Sequence, residues 1–567
     1  MHYHKSPAYY FPILILLLLI ACKESNHKPK EKQLVSNPGS IDAVVQKNIQ
    51  EQIQFAVDHA GKIDDSIQLE FLNVLQKYYE TNDHAPLWSS MEKWKPITAS
   101  LTSYLDKAAE DGLYKEDYHF SKINSLKRSL DADSLKRMDA VLWTKMDLLY
   151  TDAFMHILQD LKQGRLQPDS LDLRNNPAKY QSFFAENMDK LKKGESLDSI
   201  FKYVQPVIKG YWSLKNGIKS FIDSMDTRKY TYVSYPYKAD DKKDSVAFVR
   251  KLILRLSESS FIEKDATVDS LQLAAVVKKF QGRKKITVDG KINASLVKQL
   301  NMTDIEKYNR IAITLDRYKQ LPDSMPEKYI LVNLPGFYLQ VWDADTVALS
   351  SKIICGKPTT STPFITSAIS DMVIFPTWTV PTSIIKKDML PGLKKNAGYL
   401  ARKGLHLYNN KGESVDPYSV NWAKYTKGIP FKIQQGSGDD NALGVIKFNF
   451  NNPFDVYLHD TNQRYLFKNS MRALSHGCVR VQDWEKLAFY IARNDSLKLS
   501  PKDTLRYNTD SITNWIAKKQ KHRVEVKNRI PLFIRYFGCE GVNGSIRFYD
   551  DIYDEDKKAK EKFFALK

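Results

Sequence analysis

The C-terminal half of the chain contains the sequence YILVNLPGFYLQVW, residues 329–342, and this stretch decides its fold. From about Lys328 the apolar pattern has a period of two, in runs from Tyr329 to Leu334, from Phe337 to Trp342 and from Val347 to Ile354. A period of two is typical of β-strands with one buried face. We therefore predict a mainly-β domain over residues 303–567.

An insertion interrupts this strand pattern between residues 383 and 438. It is a Lys-rich helical stretch followed by turns rich in Gly, Asn and Pro, and it ends at Gly436-Ser437-Gly438. Insertions of this length inside a sheet more often have a function than serve only as a connection between strands. We predict a cap over a site, with hinge-like glycines at its return.

Toward the N-terminus the apolar period changes to three and four. This pattern predicts an α-helical scaffold domain over residues 51–238, and three short helices with a turn at Asp289-Gly290 over residues 239–302. The segment Ile305 to Leu321 is predicted to be a helix that packs back on the scaffold. The fold class is thus α+β and multidomain, as 567 residues are too many for one core.

The N-terminus carries a targeting signal. Ten apolar residues from Phe11 to Ile20 are too few to span a membrane, so residues 1–21 are predicted to be a signal peptide. Leu19-Ile20-Ala21-Cys22 resembles the lipobox of bacterial lipoproteins, which implies lipidation of Cys22; the alternative is a plain secretory signal with an incidental cysteine. Residues 22–50 are polar and are predicted to be a flexible tether. We expect the folded body to work outside the cytoplasm.

Charge and cysteine content narrow the function classes. Lys and Arg total 85 against 66 Asp and Glu, a net charge of +19 that favours an acidic partner. The lysines are scattered and no nucleic-acid-binding module accompanies them, so no nucleic acid is expected. Four widely spaced cysteines fit neither a disulfide framework nor a CxxC zinc site, and each needs its own explanation.

The residues that carry chemistry are His459 and Cys478. His459 lies in Tyr457-Leu458-His459-Asp460-Thr461, and Cys478 follows in Ser475-His476-Gly477-Cys478-Val479-Arg480. A cysteine nucleophile reacts as the thiolate, and a nearby base such as His459 can generate it. Gly477 lets a substrate approach and backbone N–H groups around Cys478 can form an oxyanion hole. Either Asp460 or a backbone carbonyl is expected to orient the His459 ring.

These motifs resemble the signature of L,D-transpeptidases with a YkuD-type catalytic domain. The resemblance extends to the long, multidomain subfamily with a scaffold, a wall-binding module and a capped catalytic domain. Its further matches are Asp316-Arg317-Tyr318, Val332-Asn333, Gly356-Lys357, Thr362-Pro363, Trp378-Thr379-Val380-Pro381, Pro391, Gly398-Tyr399-Leu400, Asp416-Pro417, Asn441-Ala442-Leu443-Gly444, Lys447-Phe448, Arg472-Ala473 and Asp551-Ile552-Tyr553. The subfamily usually has Pro where this chain has Asn462, and Gln-x-Pro-Gly where it has Gln435-Gly436-Ser437-Gly438; both departures bear on loop stiffness.

The resemblance implies roles for the site residues. Cys478 would be the nucleophile and His459 the proton acceptor and donor, with no metal or cofactor. Ser475, His476 and Gly477 would belong to the pocket and oxyanion region. Three residues have two possible roles each. Arg480 would either anchor a substrate carboxylate or form an ion pair that fixes the loop. Trp378 and Tyr399 would either form walls of the pocket or pack in the core.

The resemblance also implies a function and a location. The chain would form 3–3 cross-links in peptidoglycan through a Cys478 acyl-enzyme, with tetrapeptide stems as donor and acceptor and release of D-alanine. The alternatives are an L,D-carboxypeptidase, acyl transfer to another amine, and a non-catalytic wall-binding lipoprotein. Residues 239–302 resemble a peptidoglycan-binding module or form an ordinary helical packing module. The chain would be extracytoplasmic (periplasmic), lipid-anchored through Cys22, with cell-wall synthesis proteins as further candidate partners.

Overall fold

The computed structural model describes residues 30–166, 176–236, 241–284, 286–426, 428–497 and 507–564. The predicted signal peptide and the lipidation candidate Cys22 lie outside these residues. Within them, no helix is both long and apolar enough to cross a membrane.

The described helices and strands follow in chain order. The helices are α1 (Ile41–Asp58), α2 (Leu72–Thr81), α3 (Pro96–Asp106), α4 (Phe120–Ala132), α5 (Ser134–Arg137), α6 (Ala140–Gln163), α7 (Pro177–Lys192), α8 (Leu197–Val204), α9 (Lys209–Asp223), α10 (Lys242–Glu258), α11 (Ser270–Arg283), α12 (Ala294–Asn301), α13 (Asp304–Tyr318), α14 (Thr382–Ile384), α15 (Leu390–Lys395), α16 (Trp484–Ser496), α17 (Thr509–Ala517) and α18 (Glu555–Phe563). The strands are β1 (Lys62–Asp64), β2 (Ile67–Gln68), β3 (Ser89–Ser90), β4 (Lys93–Trp94), β5 (Lys328–Asn333), β6 (Tyr338–Asp343), β7 (Thr346–Gly356), β8 (Ile365–Ile374), β9 (Trp378–Thr379), β10 (Leu405–Tyr408), β11 (Lys432–Gln435), β12 (Ile446–Phe450), β13 (Leu458–His459), β14 (Ala473–Ser475), β15 (Val479–Val481), β16 (His522–Glu525), β17 (Pro531–Arg535), β18 (Cys539–Val542) and β19 (Ser545–Phe548).

The chain divides into two compact units. The first contains the described residues up to Leu101 together with Tyr118–His156, and the second contains Thr102–Asp117 and the described residues from Ile157 onward. Residues of the predicted scaffold domain, 51–238, therefore fall in both units. The boundaries of that domain stay a prediction.

The first unit corrects two expectations. The predicted tether ends earlier than residue 50, because Ile41, Val45 and Ile49 recur every four residues and are buried along α1. The predicted all-helical pattern is interrupted by two short antiparallel hairpins, β1–β2 and β3–β4. Strands of two or three residues are too short to leave a period in the sequence, which is why they were missed.

The second unit contains a closed β-barrel, which confirms the predicted mainly-β domain. Its strand order is β12-β13-β15-β7-β6-β5-β17-β8, and pairing of β12 with β8 closes the ring. Strand β16 is added beside β8, and the short β14 beside β7. Buried side chains such as Ile330, Val332, Leu339 and Ile374 fill the core.

Three helices, α10, α11 and α12, share a separate core within this unit. Phe248, Leu252, Val277, Phe280 and Leu296 are buried in it. The turn predicted at Asp289-Gly290 is present, with Gly290 at φ +74 and its N–H donating to the Gln281 side chain at 2.8 Å. The observed helices match the predicted ones, while the boundaries of residues 239–302 stay a prediction.

Helix α13 is the buried link between these parts of the second unit. The predicted helix over Ile305–Leu321 is confirmed as Asp304–Tyr318, and every residue from Tyr308 to Tyr318 is buried. Arg310 and Arg317 reach Asp556 of α18 at 2.6 and 2.5 Å. Burial raises the pKa of Asp556, but the two guanidinium groups hold it below its usual range.

The inserted segment folds around a core of its own. Leu390, Leu400, Leu407 and Ile433 are buried there. Its helices are followed by the antiparallel strands β10 and β11, and β11 also pairs with β9, so the strand pattern does not lapse throughout as expected. Hydrogen bonds hold the loops at the two places where this sequence departs from the subfamily, at Ser437 and at Asn462. Ser437 Oγ donates to Phe375 O at 2.7 Å and Asn462 Nδ2 to Asp440 O at 2.9 Å.

Candidate active site

Strand pairing brings the two motif residues together. Strands β13 and β15 are parallel, with Leu458 opposite Val479 and His459 opposite Arg480. The N–H of Val479 donates to Tyr457 O at 3.1 Å. Because side chains two residues apart share a face of a strand, Cys478 and Arg480 both lie on the side of His459.

The loop that carries Cys478 is braced by its own polar groups. Ser475 Oγ donates to the Cys478 carbonyl oxygen at 2.6 Å, and the Gly477 N–H donates to Ser475 Oγ at 3.1 Å. Gly477 has φ +123, a conformation that favours glycine. The Gly477 N–H is therefore engaged within the loop, whereas the structure records no acceptor for the Cys478 N–H among the described residues.

Residues 356–362 support this loop from the neighbouring barrel strand. Thr362 Oγ1 donates to the Gly477 carbonyl oxygen at 2.7 Å and accepts from the Gly356 N–H at 2.9 Å. The Tyr553 hydroxyl donates to the Gly356 carbonyl oxygen at 2.7 Å. This network supports the loop that carries Cys478.

Cys478 is half-buried and its thiol donates weakly to the Asp455 carbonyl oxygen at 3.9 Å. Burial raises the pKa of the Cys478 thiol above its ordinary value. Hydrogen bonds from Tyr457 and the charges of Lys447 and Arg480 act in the opposite direction. These groups favour the thiolate once it forms.

His459 is almost entirely buried, at 4% exposure. Burial, followed by the charges of Arg480 and Lys447, lowers the pKa of His459 to about 3. Its Nδ1 has no hydrogen-bond partner among the described residues. The imidazole is therefore neutral near pH 7 and able to accept a proton.

The Asp460 carboxylate does not orient the His459 ring, because it binds other groups. Its carboxylate accepts from Arg464 Nη2 at 2.6 Å and from the Val445 N–H at 3.0 Å. The reason is geometric, because adjacent residues of a strand point to opposite faces. Hydrogen bonds to the backbone of Asp460 and Leu443 raise the pKa of His459 against the effect of burial, which favours the other predicted orienter, a backbone carbonyl.

Two cations flank His459 in the barrel wall. Lys447 lies opposite it in β12, and Arg480 lies opposite it in β15. Arg480 Nη1 donates to Gln463 Oε1 at 3.1 Å, and its Nε has no partner among the described residues. No described carboxylate pairs with Arg480, so the ion pair weighed from the sequence is not formed.

The remaining predicted residues connect the catalytic loop to the inserted segment. His476 Nε2 donates to the Asp388 carboxylate at 2.5 Å. Trp378 and Tyr399 are partly buried against the core of the insertion. Trp378 hydrogen-bonds the Tyr457 side chain, and Tyr399 lies near enough to Asp388 for that charge, after burial, to raise its pKa.

Three residues of the site were given no role from the sequence, namely Asp388 and, although they lie in the quoted motifs, Tyr457 and Lys447. Tyr457 precedes His459 by two residues in the same strand, so the period-two rule was a usable signal for it. Lys447 Nζ lies 3.9 Å from the centroid of the Tyr457 ring. Lys447 lies opposite His459, and Asp388 binds His476. Both contacts depend on tertiary structure that no local sequence pattern reveals.

Two family models match this chain. Residues 327–499 match the YkuD family, described as the L,D-transpeptidase catalytic domain, and residues 73–217 match the Scaffold domain. These matches confirm the family resemblance predicted from the sequence. Most of the C-terminal barrel, residues 327–499, thus matches the family of L,D-transpeptidase catalytic domains.

A curated relative is consistent with this assignment. The chain is 31% identical over 249 residues to a Haemophilus influenzae protein named "Putative L,D-transpeptidase". The match covers 44% of this chain and 48% of the relative, so it spans about half of that protein.

Parts of this chain also match solved structures of proteins named L,D-transpeptidase. One, from Mycobacterium smegmatis, is 12% identical with a TM-score of 0.17 and covers 37% of this chain and 58% of that one. Another, an E. faecium catalytic domain acylated by ertapenem, is 14% identical with a TM-score of 0.16 and covers 37% and 99%.

Proposed function

We propose that this chain is a cysteine L,D-transpeptidase that forms 3–3 cross-links between peptidoglycan stem peptides. The observation that carries the proposal is the placement of a neutral His459 and the Cys478 thiol on one face of paired strands, beside Arg480, which has no carboxylate partner among the described residues. The catalytic-domain match over residues 327–499 supports the same reaction class.

The first half-reaction forms a thioester. His459 accepts the Cys478 proton as sulfur attacks the carbonyl carbon of the third, diamino-acid residue of a tetrapeptide donor. The bond to the terminal D-alanine breaks, and the leaving amine takes the proton from His459. The transient oxyanion would be stabilised by the Cys478 N–H and by the nearby positive charge of Arg480.

The second half-reaction returns the enzyme to its resting state. The side-chain amine of an acceptor stem attacks the thioester, gives its proton to His459, and displaces the Cys478 sulfur, which takes that proton back. Entry of water instead would make the chain a carboxypeptidase, and entry of another amine would give a different conjugate. A non-catalytic wall-binding lipoprotein is the alternative from another class, but a pure tether has no use for a His459–Cys478 pair.

The location is part of the proposal. Lipidation of Cys22 would hold the body at a membrane on the extracytoplasmic side, and the three-helix segment would bind peptidoglycan. The net charge of +19 supports a polymer rich in free carboxylates as substrate.

Product analysis tests this function. We would incubate the purified body with tetrapeptide-containing wall fragments and analyse the products by mass spectrometry, beside a Cys478→Ala variant. A cross-linked dimer with loss of D-alanine, absent in the variant, is expected. Loss of D-alanine without a dimer would indicate the carboxypeptidase, and no change in either sample would favour the tether.

A further inference from the structure

A second polar cavity lies well apart in sequence from the catalytic motifs. It has a volume of about 280 Å³ and is lined by α10, α11 and the start of α13, together with the chain around Tyr230. Five of its lining side chains are cationic, namely Arg228, Arg255, Arg283, Lys284 and Lys307. The proposed function assigns peptidoglycan binding to the three-helix segment as a whole, but it names no cavity or residues for it.

The carboxylates of the cavity neutralise only part of this charge. Asp226 pairs with Arg228 at 2.6 Å, and Asp304 pairs with Lys307 at 2.8 Å. Among the described residues, no ion pair is recorded for the other three cations, Arg255, Arg283 and Lys284. The nearby Glu258 carboxylate accepts from the Thr231 N–H at 2.8 Å and from Thr231 Oγ1 at 2.6 Å.

Arg255 is buried and held in place. It is 5% exposed, its Nη2 donates to the Leu300 carbonyl oxygen at 2.6 Å, and its Nη1 donates to Ser259. Its guanidinium lies 4.1 Å from the centroid of the Tyr230 ring, and its Nε has no partner among the described residues. A buried cation with an unused donor is costly unless an anion compensates it.

The cations also repel one another. Burial lowers the pKa of Lys284, and the charges of Lys307 and Arg283 lower it further. A bound anion would relieve this repulsion and gain hydrogen bonds to ionised donors.

Aromatic rings give the cavity an apolar wall. Arg283 lies 5.5 Å from the centroid of the Phe261 ring, and Lys284 lies 5.9 Å from that of Phe280. In such a cavity the cations can bind an anionic group of a small ligand, and the aromatic rings can contact its aliphatic part. A peptide end with a free carboxylate has this chemistry.

We propose that this cavity is a second binding site, selective for free carboxylates on peptidoglycan stem peptides. The identity of the ligand rests on the proposed function, whereas the preference for an anion rests on the cavity itself. Arg255 supplies the fixed buried charge, and Arg283 and Lys284 supply mobile donors at the rim. The site would hold the polymer while the catalytic loop acts on a stem.

Binding is measured on the whole mature body carrying Cys478→Ala, so that no turnover occurs. The probes are soluble disaccharide-tetrapeptide fragments with free carboxylates, the same fragments with amidated carboxylates, and vesicles containing anionic phospholipid. The pocket variant is Arg283→Gln with Lys284→Gln. The matched control is Lys251→Gln with Lys279→Gln, which removes two exposed charges from α10 and α11 outside the cavity lining.

We expect the pocket variant to bind the free-carboxylate fragment about tenfold or more weakly than the control, because charge-assisted hydrogen bonds are lost. Amidated fragments should bind both proteins alike, and hydrogen exchange in α11 should slow only with the free-carboxylate fragment. Equal binding by the pocket and control variants would overturn the proposal, as would pocket-dependent binding to the vesicles alone. Cross-linking by the Cys478 protein is assayed separately, so a failed function with intact pocket binding is distinguishable from the reverse.

Discussion

Arginine is used in opposite ways in two regions of the second unit. At the junction of α13 and α18, Arg310 and Arg317 share the buried carboxylate of Asp556. In β15, Arg480 lies close to Cys478 in sequence, with an amide partner and no described carboxylate. A paired buried cation fixes the fold, whereas an unpaired one keeps its charge available to a thiolate or a substrate.

The cysteines show the same contrast. Cys355 and Cys539 are fully buried, and burial raises their thiol pKa values to about 11 and about 12. Cys478 is partly accessible, and nearby cations and Tyr457 oppose the effect of burial on its pKa. Of the three cysteines that the structure describes, Cys478 alone combines access with groups that stabilise a thiolate.

The largest effect is expected for Cys478→Ala. Removal of the nucleophile should lower cross-linking at least about 10³-fold, because the remaining groups cannot form a thioester. Thermal unfolding should change little, since no strong hydrogen bond of the sulfur is lost. Cys355→Ala is the matched control and should reverse the pattern, with cross-linking retained per folded molecule and stability lowered.

His459→Gln should lower kcat/KM by about 10²–10⁴-fold through loss of the proton acceptor. A stability change should accompany it. The folded-state pKa of about 3 lies below the ordinary value of 6.5, so wild-type stability is full above pH 6.5 and falls as the pH drops toward 3. Denaturant unfolding across this range should show a shallower fall for the variant, and an equal fall would contradict the buried neutral imidazole.

Asp556→Asn tests the buried ion pairs between α13 and α18. Leaving Arg310 and Arg317 buried without their carboxylate should cost about 3–5 kcal/mol of unfolding free energy. Activity per folded molecule should stay unchanged. Because the pKa of Asp556 is lowered, its contribution is present above about pH 4 and is lost as the pH falls through the folded-state value. Equilibrium unfolding measures the loss, and a change below about 1 kcal/mol would contradict the pairing.

Arg480→Gln should lower kcat/KM by about 10–100-fold, since a charged donor beside the thiolate is lost. Arg480 lowers the pKa of Cys478, so the variant's thiol should react with iodoacetamide at a higher pH than the wild type. The control is Arg523→Gln, an exposed arginine of β16 paired with Asp371 at 3.0 Å. An unchanged pH dependence of alkylation would contradict the stabilisation of the Cys478 thiolate by Arg480.

The smallest effect is expected for Asp388→Asn, which breaks the contact between His476 and the inserted segment. Exposed pairs of this kind are worth about 0.2–1 kcal/mol, so kcat/KM should fall no more than about fivefold. Asp439→Asn, which breaks an exposed pair with Lys519, should have no effect on kcat/KM. Equal kinetics for both variants would exclude a role for this contact in positioning the segment.

The sequence predicted the parts of the structure that follow from local pattern. The period of two from Lys328 indicated β5 to β7, and the period of three to four indicated α10 to α13. The Ser475–Cys478 motif and His459 indicated the site because their spacing is part of a family signature. Closure of the barrel by β12 and β8 was not predictable, since it pairs residues about 75 positions apart.

The missed details have physical causes as well. Asp460 follows His459 directly and was weighed as its orienter, yet adjacent strand residues face opposite sides and Asp460 bonds Arg464 instead. Asp388 and His476 meet across 88 residues, a separation at which sequence carries no contact signal. The cavity around Arg255 is formed by side chains from separate helices, and only the packed structure reveals its unpaired charge.

The most direct test of the central claim is intact-protein mass spectrometry after brief mixing with a tetrapeptide donor and no acceptor. The account predicts an adduct equal to the donor minus D-alanine, located by peptide mapping on the fragment that contains Cys478 and absent in Cys478→Ala. D-alanine release without a covalent adduct on Cys478, or an adduct on another residue, would contradict it.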